Sequence, residues 1–148
     1  MANSSFISKP AGQTLDPHAE LTQAHREAAR AAAQLCETIA RVFQIDVPDC
    51  RRKAIAIGGA LERIARAERA CDFCAGENHV FVATYEKMLE QHRLAYIDFE
   101  QLSTKLENNP SLRCSDIAPL VADIERHINK AEEAHSAAML EAALKKAR

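Results

Sequence analysis

The chain has 148 residues, of which 47% are hydrophobic and 27% are charged, and its net charge is -2. This length and this balance are typical of one globular domain with a full hydrophobic core. Acidic and basic residues are interspersed, which argues against a nucleic-acid-binding surface, and no apolar run is long enough to span a bilayer. The five cysteines form an odd set and the N-terminus lacks a secretory signal pattern, so we expect free thiols and a cytoplasmic protein.

The predicted elements, in chain order, are a tail and four helices. Residues 1–15 are rich in Ser, Gly and Pro and are expected to be a disordered N-terminal tail. Residues 16–148 are predicted to form an all-α, antiparallel up-and-down four-helix bundle, because the connections between the helices are short. The helices are expected from Asp16–Pro17 to about Gln44, from Pro48–Asp49 to Cys71, from Glu77–Asn78 to Asn108, and from Ser115–Asp116 almost to the end.

The spacing of apolar residues is the main evidence for a bundle. Along each predicted helix the stripe positions recur at alternating steps of four and three. In the first helix they are Leu21, His25, Ala28, Ala32, Leu35, Ile39 and Val42. Each such stripe needs a partner to cover it. Four stripes therefore predict one core shared by four helices.

Four titratable residues occupy stripe positions where leucine would be expected: His25, Glu68, His92 and His135. Burying such a group without a partner costs several kcal/mol or forces it into its neutral form. If the connections are symmetric turns, His25 and Glu68 lie at the same height in the bundle, with His135 about one helical turn away. These side chains are therefore expected to meet.

The expected meeting point has the composition of a metal centre, because imidazole and carboxylate ligands suit zinc, iron and manganese. Glu132 precedes His135 by three residues and so adds a carboxylate to the same helix face. The alternative is a hydrogen-bonded polar network without a metal. The predicted metal site consists of His25, Glu68, Tyr85, Glu132 and His135.

The symmetric-turn assumption places His92 in a different layer, opposite Gly58. Gly58 and Gly59 lie in a helix interior, where each glycine costs about 1 kcal/mol relative to alanine. That cost is easier to understand if a bulky group needs the space. His92 and Gly58 are therefore predicted to contact each other, or to flank a ligand or the edge of a haem.

A second candidate metal site combines Cys71, Cys74 and His79. The Cys-x-x-Cys spacing occurs in zinc sites, but no second such pair supplies the remaining ligands. The alternative is a pair of thiols packed at a helix end.

No recognised catalytic motif occurs, so the chain is expected to be non-enzymatic. The third helix has a surplus apolar stripe of Val82, Leu89 and Tyr96, which favours a homodimer or a protein partner. The first functional hypothesis is therefore a binding or regulatory protein that acts through helix faces. The second is a bundle that binds a metal or haem for sensing, storage or redox chemistry. Neither nucleic acid nor a membrane is an expected partner.

Overall fold

The computed structural model describes residues 16–42, 44–71, 79–109 and 111–146, and among these it confirms the predicted antiparallel four-helix bundle. The helices are α1 (Pro17–Ala40), α2 (Val47–Ala70), α3 (His79–Asn108) and α4 (Cys114–Lys146). None of the described helices is both long and apolar enough to cross a membrane. The expected tail, residues 1–15, lies outside the described residues.

Local sequence signals set the helix starts. The Asp16 side chain accepts hydrogen bonds from the backbone N–H groups of His18 and Ala19, and Pro17 occupies the first helical position. Asp46 caps α2 in the same way by accepting from the N–H of Asp49. These caps satisfy backbone donors that the helices leave without an internal partner.

The first helix ends at Ala40, four residues before the expected end. The reason is a contact between the two connections at this end of the bundle. Gln44 forms an isolated β-bridge with Arg113, and the N–H of Ile45 donates to the carbonyl of Leu112. The backbone after Ala40 thus pairs with the α3–α4 connection and leaves the helical path.

The predicted stripes form the core. Six of the seven stripe positions of the first helix are buried, and the seventh, Val42, lies beyond the helix end and is 41% exposed. The described part of the surplus stripe on α3, Leu89 and Tyr96, packs partly buried against this core. These two residues widen the core-facing side of α3, and Tyr96 also lines the groove between α2 and α3. The hydroxyl of Tyr96 is buried with no hydrogen-bond partner among the described residues, and burial raises its pKa to about 12.

The bundle consists of two helical hairpins, α1–α2 and α3–α4, that join along α1 and α4. Helices α2 and α3 make few direct contacts, and a groove of about 750 Å³ lies between them. At its floor the ring of Phe99 rests against Gly58. Further along, the guanidinium of Arg51 donates to the carbonyls of Leu106 and Glu107 and so caps the end of α3.

Candidate metal centre

Three histidines are buried near one end of the bundle, each on a different helix. His25 on α1 is 0% exposed, and His92 on α3 and His135 on α4 are each 1% exposed. Imidazoles rarely lose all contact with water without partners, because their ring nitrogens then need other hydrogen bonds. His25 and His92 contact each other and two glutamates, and His135 contacts His18 and Thr22, so all four helices contribute to one polar cluster.

Four of these groups form a continuous row. Glu132 Oε1 lies 2.9 Å from His25 Nδ1. On the other side of the ring, His25 Nε2 lies 2.7 Å from His92 Nε2. His92 Nδ1 in turn lies 2.6 Å from Glu68 Oε1. The glutamate side chains at the two ends are 24% and 26% exposed, so the two imidazoles of the row are shielded from solvent and its two ends are partly exposed.

The row contains one contact more than neutral imidazoles can satisfy. Each neutral ring carries a single N–H, and a carboxylate carries none. The two rings therefore offer two hydrogens for three contacts. Whichever tautomers are chosen, one contact brings two lone pairs together unless a further cation, either a proton or a metal ion, occupies it.

At the contact between His25 and Glu132, a third possible metal ligand, His135, is nearby. A ring nitrogen of His25, a carboxylate oxygen of Glu132 and a ring nitrogen of His135 all lie within 4.8 Å of one another. A four-coordinate zinc ion holds its ligand atoms roughly 3.3 Å apart, so binding needs side-chain movements of at most about 1.5 Å. Among the described residues this is the group whose geometry fits a metal.

The electrostatics keep these rings in the form that a metal needs. Burial is the main reason why the pKa of His25 is lowered, and the hydrogen bond to Glu132 opposes that effect. Burial likewise lowers the pKa of His135 to about 4, with His25 and His18 adding to the shift. A neutral imidazole has a free lone pair, whereas an imidazolium has none. Burial therefore favours neutral rings at His25 and His135, the form in which a ring nitrogen can bind a metal.

His135 has two further contacts, both with α1. Its Nε2 lies 3.2 Å from His18 Nδ1, and the two rings stack with their centroids 5.4 Å apart. Its Nδ1 lies 3.3 Å from the hydroxyl oxygen of Thr22. His18 is only half-buried, so it joins the cluster from the solvent side.

The structure brings together most of the residues predicted for the metal site, but they form a group of three and a separate contact. His25, Glu132 and His135 form the group just described, whereas Glu68 contacts His92 and reaches the group only through that ring. Tyr85 is partly buried, and its pKa is raised by burial and by the charge of Glu68.

The predicted pairing of His92 with Gly58 is wrong. The group that occupies the space at Gly58 is the ring of Phe99, whose Cζ lies 2.8 Å from where a Cβ on Gly58 would be. Phe99 follows His92 by seven residues, which is about two helical turns. Relative to the position expected from a symmetric turn, α3 is therefore displaced along its axis, so that His92 reaches the layer of His25 and Glu68.

The second candidate site falls largely outside the described residues. Cys74 belongs to the connection that is not described, and the side chain of His79 is not described either. Cys71 is the C-cap of α2, and burial raises the pKa of its thiol to about 11. The described cysteines, Cys36, Cys50, Cys71 and Cys114, are free thiols.

His18 is the residue that the sequence analysis did not connect with this cluster. It precedes His25 by seven residues, two helical turns, and therefore lies on the same face of α1. Thr22 lies between them on that face. This spacing is the signal by which His18 could have been found.

Comparisons of the chain with protein-family models, with curated protein sequences and with solved structures gave no match. The function has to be inferred from the geometry of the cluster.

Proposed function

We propose that this protein is a transition-metal-binding four-helix bundle whose ion is held by His25, Glu132 and His135. The observation that carries the proposal is the row of three short contacts for which two neutral imidazoles provide only two hydrogens. A metal ion in the contact between His25 and Glu132 supplies the missing positive charge. It also uses the nearby nitrogen of His135.

The ligand types favour zinc or iron(II), with manganese as a weaker candidate. Two histidines and one carboxylate form the ligand set of many zinc centres and of mononuclear iron(II) centres. A divalent ion also balances the charge of the two glutamates that end the row. Softer, thiolate-selecting ions are disfavoured, because no sulfur atom belongs to the group.

Three protein ligands leave at least one coordination position open. His18 would fill it by moving toward the three ligands, since its Nδ1 is 3.2 Å from His135 Nε2. With His18 bound, the centre is closed and suits storage or structural stabilisation. With His18 displaced, the position opens to water or a small ligand, which suits sensing or redox chemistry.

The test is metal content and metal affinity of protein purified without a histidine tag. We expect one zinc or iron ion per chain by elemental analysis. After removal of the metal, we expect stoichiometric binding of Co²⁺ with visible absorption typical of nitrogen and oxygen ligands. Glu132→Gln, a conservative change at a partly exposed side chain, should weaken binding by more than about 100-fold, the upper end of the loss seen for partners that do not bind the metal directly.

The matched control is His127→Ala. His127 is another histidine on α4, with a side chain that is 12% exposed, and it contacts Gln91 and Asp98 at 2.8 Å and 3.5 Å, away from the cluster. This variant should keep metal content and affinity unchanged. A wild-type chain that binds neither Zn²⁺ nor Co²⁺ nor Fe²⁺ at micromolar concentration would overturn the proposal.

A second candidate function is self-association through the groove between α2 and α3. Ile55 on α2 is 72% exposed and Ile97 on α3 is 40% exposed, and both line this groove. Exposed aliphatic residues beside an apolar groove favour pairing with a second copy of the chain. Light scattering at micromolar concentration should then show a dimer for the wild type and a monomer for Ile55→Asp. A wild-type monomer at that concentration contradicts this candidate.

A further inference from the structure

We infer that His92 and Glu68 are positioning residues that select the Nδ1 atom of His25 as the metal ligand. This inference rests on the proposed metal centre and concerns the half of the cluster that does not touch the ion. It reassigns both residues, because Glu68 was expected to be a ligand and His92 to contact a cofactor. Its basis is the direction in which hydrogen bonds run along the buried row.

His92 uses both of its ring nitrogens within the protein. Its Nδ1 lies 2.6 Å from Glu68 Oε1, and a carboxylate oxygen can only accept, so this nitrogen carries the hydrogen. The Nε2 atom of a neutral His92 then has a free lone pair. It accepts a hydrogen bond from the atom opposite it, His25 Nε2, at 2.7 Å.

This sequence of donors and acceptors fixes the tautomer of His25. With its hydrogen on Nε2, the ring presents the lone pair of Nδ1 to the opposite side, where Glu132 lies 2.9 Å away. Glu132 and a nitrogen of His135 form with a ring nitrogen of His25 the group within 4.8 Å. A histidine ligand generally needs such a partner on its other nitrogen to hold the ring and the tautomer. In this protein the partner is a second histidine, held in turn by a carboxylate.

The opposite arrangement, with the metal between the two rings, fits the geometry less well. Ligand atoms of one tetrahedral ion lie roughly 3.3 Å apart, so the two Nε2 atoms, 2.7 Å apart, would have to separate further than His25 Nδ1 and Glu132 Oε1, which are 2.9 Å apart. The 2.7 Å separation suits a hydrogen bond. The group of three ligand atoms that fits a metal contains His25 but not His92 or Glu68.

The experiment compares Zn²⁺ affinity, by competition with a chelator, across variants of the full chain. His92→Ala should weaken binding by about 10–100-fold while one ion per chain still binds and the Co²⁺ spectrum keeps its shape. His92→Gln should recover part of this loss, since its amide oxygen can accept from His25 and its NH₂ group can donate to Glu68. His127→Ala should match the wild type.

Nitrogen-15 spectra of histidine-labelled, Zn²⁺-loaded protein show which ring nitrogen of His25 binds the metal. A merely structural role of His92 would leave this assignment unchanged. In the wild type, His25 should carry hydrogen on Nε2 and metal on Nδ1. In His92→Ala, a population with metal on Nε2 should appear. If His92→Ala does not fold, as judged by circular dichroism of the metal-free protein, Glu68→Gln carries the test, because that side chain is 26% exposed.

Three results would overturn the inference. The first is a wild-type His25 with metal on Nε2. The second is an affinity that neither His92→Ala nor Glu68→Gln changes. The third is loss of the stoichiometric ion or of the Co²⁺ spectrum in either variant, which makes that residue a ligand. In all three cases the wild type binds metal, so the proposed function stands; a wild type that binds none overturns both.

Discussion

At the scale of single residues, the buried histidines link metal binding to pH. In the metal-free chain, the pKa of His135 is lowered to about 4, mainly by burial, and that of His25 is lowered for the same reason. An unfolded histidine titrates near pH 6.5. Between these values the unfolded state binds more protons than the folded state, so stability falls as the pH drops from about 6.5 to about 4.

We therefore expect the free energy of unfolding of the chelator-treated protein to fall over this window, by an amount on the order of 3 kcal/mol from His135 alone. Urea denaturation at a series of pH values measures it. His135→Gln, which keeps the approximate size of the side chain but cannot titrate, should flatten the profile, and His127→Ala should retain it. An unchanged slope in His135→Gln contradicts the assignment.

At the scale of the helices, the two adjacent glycines of α2 offer a matched pair of substitutions. A Cβ on Gly58 would lie 2.8 Å and 3.2 Å from atoms of the Phe99 ring, whereas a Cβ on Gly59 meets nothing within 4 Å. Alanine is favoured over glycine in a helix interior by about 1 kcal/mol, through backbone entropy. Replacing glycine by alanine at these two neighbouring positions therefore places the same methyl group in two different surroundings.

Gly59→Ala should raise the free energy of unfolding by up to about 1 kcal/mol. Gly58→Ala should lower it by about 1–3 kcal/mol, because the ring of Phe99 has to move out of a packed position. Thermal or urea denaturation of the two variants measures both changes in the free energy of unfolding. Equal effects at both positions would mean that Phe99 does not rest on α2.

The surroundings of these glycines also show which features of the fold could be predicted from the sequence and which could not. The alternating stripes predicted all four helices and nearly all of the core, because burial of an apolar stripe depends on local spacing alone. The meeting of His25 with His135 was expected from assumed symmetric turns, and only the addition of Glu132 beside His135 followed from spacing within one helix. His92 was misplaced because its height depends on the path of the α2–α3 connection, which no periodic pattern encodes. Phe99, not His92, therefore lies at Gly58.

At the scale of the whole molecule, the proposed centre joins the first helix to the last. His25 and Glu132 are 107 residues apart in sequence, and the seam between α1 and α4 is where the two hairpins meet. A ligand that binds only the folded state stabilises it by about 2.7 kcal/mol at a free concentration 100 times its dissociation constant. Metal should therefore stabilise the bundle as a unit.

We expect the melting temperature to rise by about 5–10 °C when Zn²⁺ is added at that excess, since about 2–4 °C accompanies each kcal/mol in a domain of this size. Differential scanning calorimetry with and without the ion measures the shift. Glu132→Gln should lose most of it. A shift of the same size in this variant would indicate that Zn²⁺ acts at another site.

The division of the ligands between the hairpins has a consequence for the chain cut in two. The α1–α2 half carries His25, and the α3–α4 half carries Glu132 and His135, so neither half has a complete centre. The α2–α3 seam adds little to hold the halves together. Expressed as separate polypeptides, the halves should associate through the core that α1 and α4 share and should associate more tightly when Zn²⁺ is present, which makes the pair a metal-responsive heterodimer.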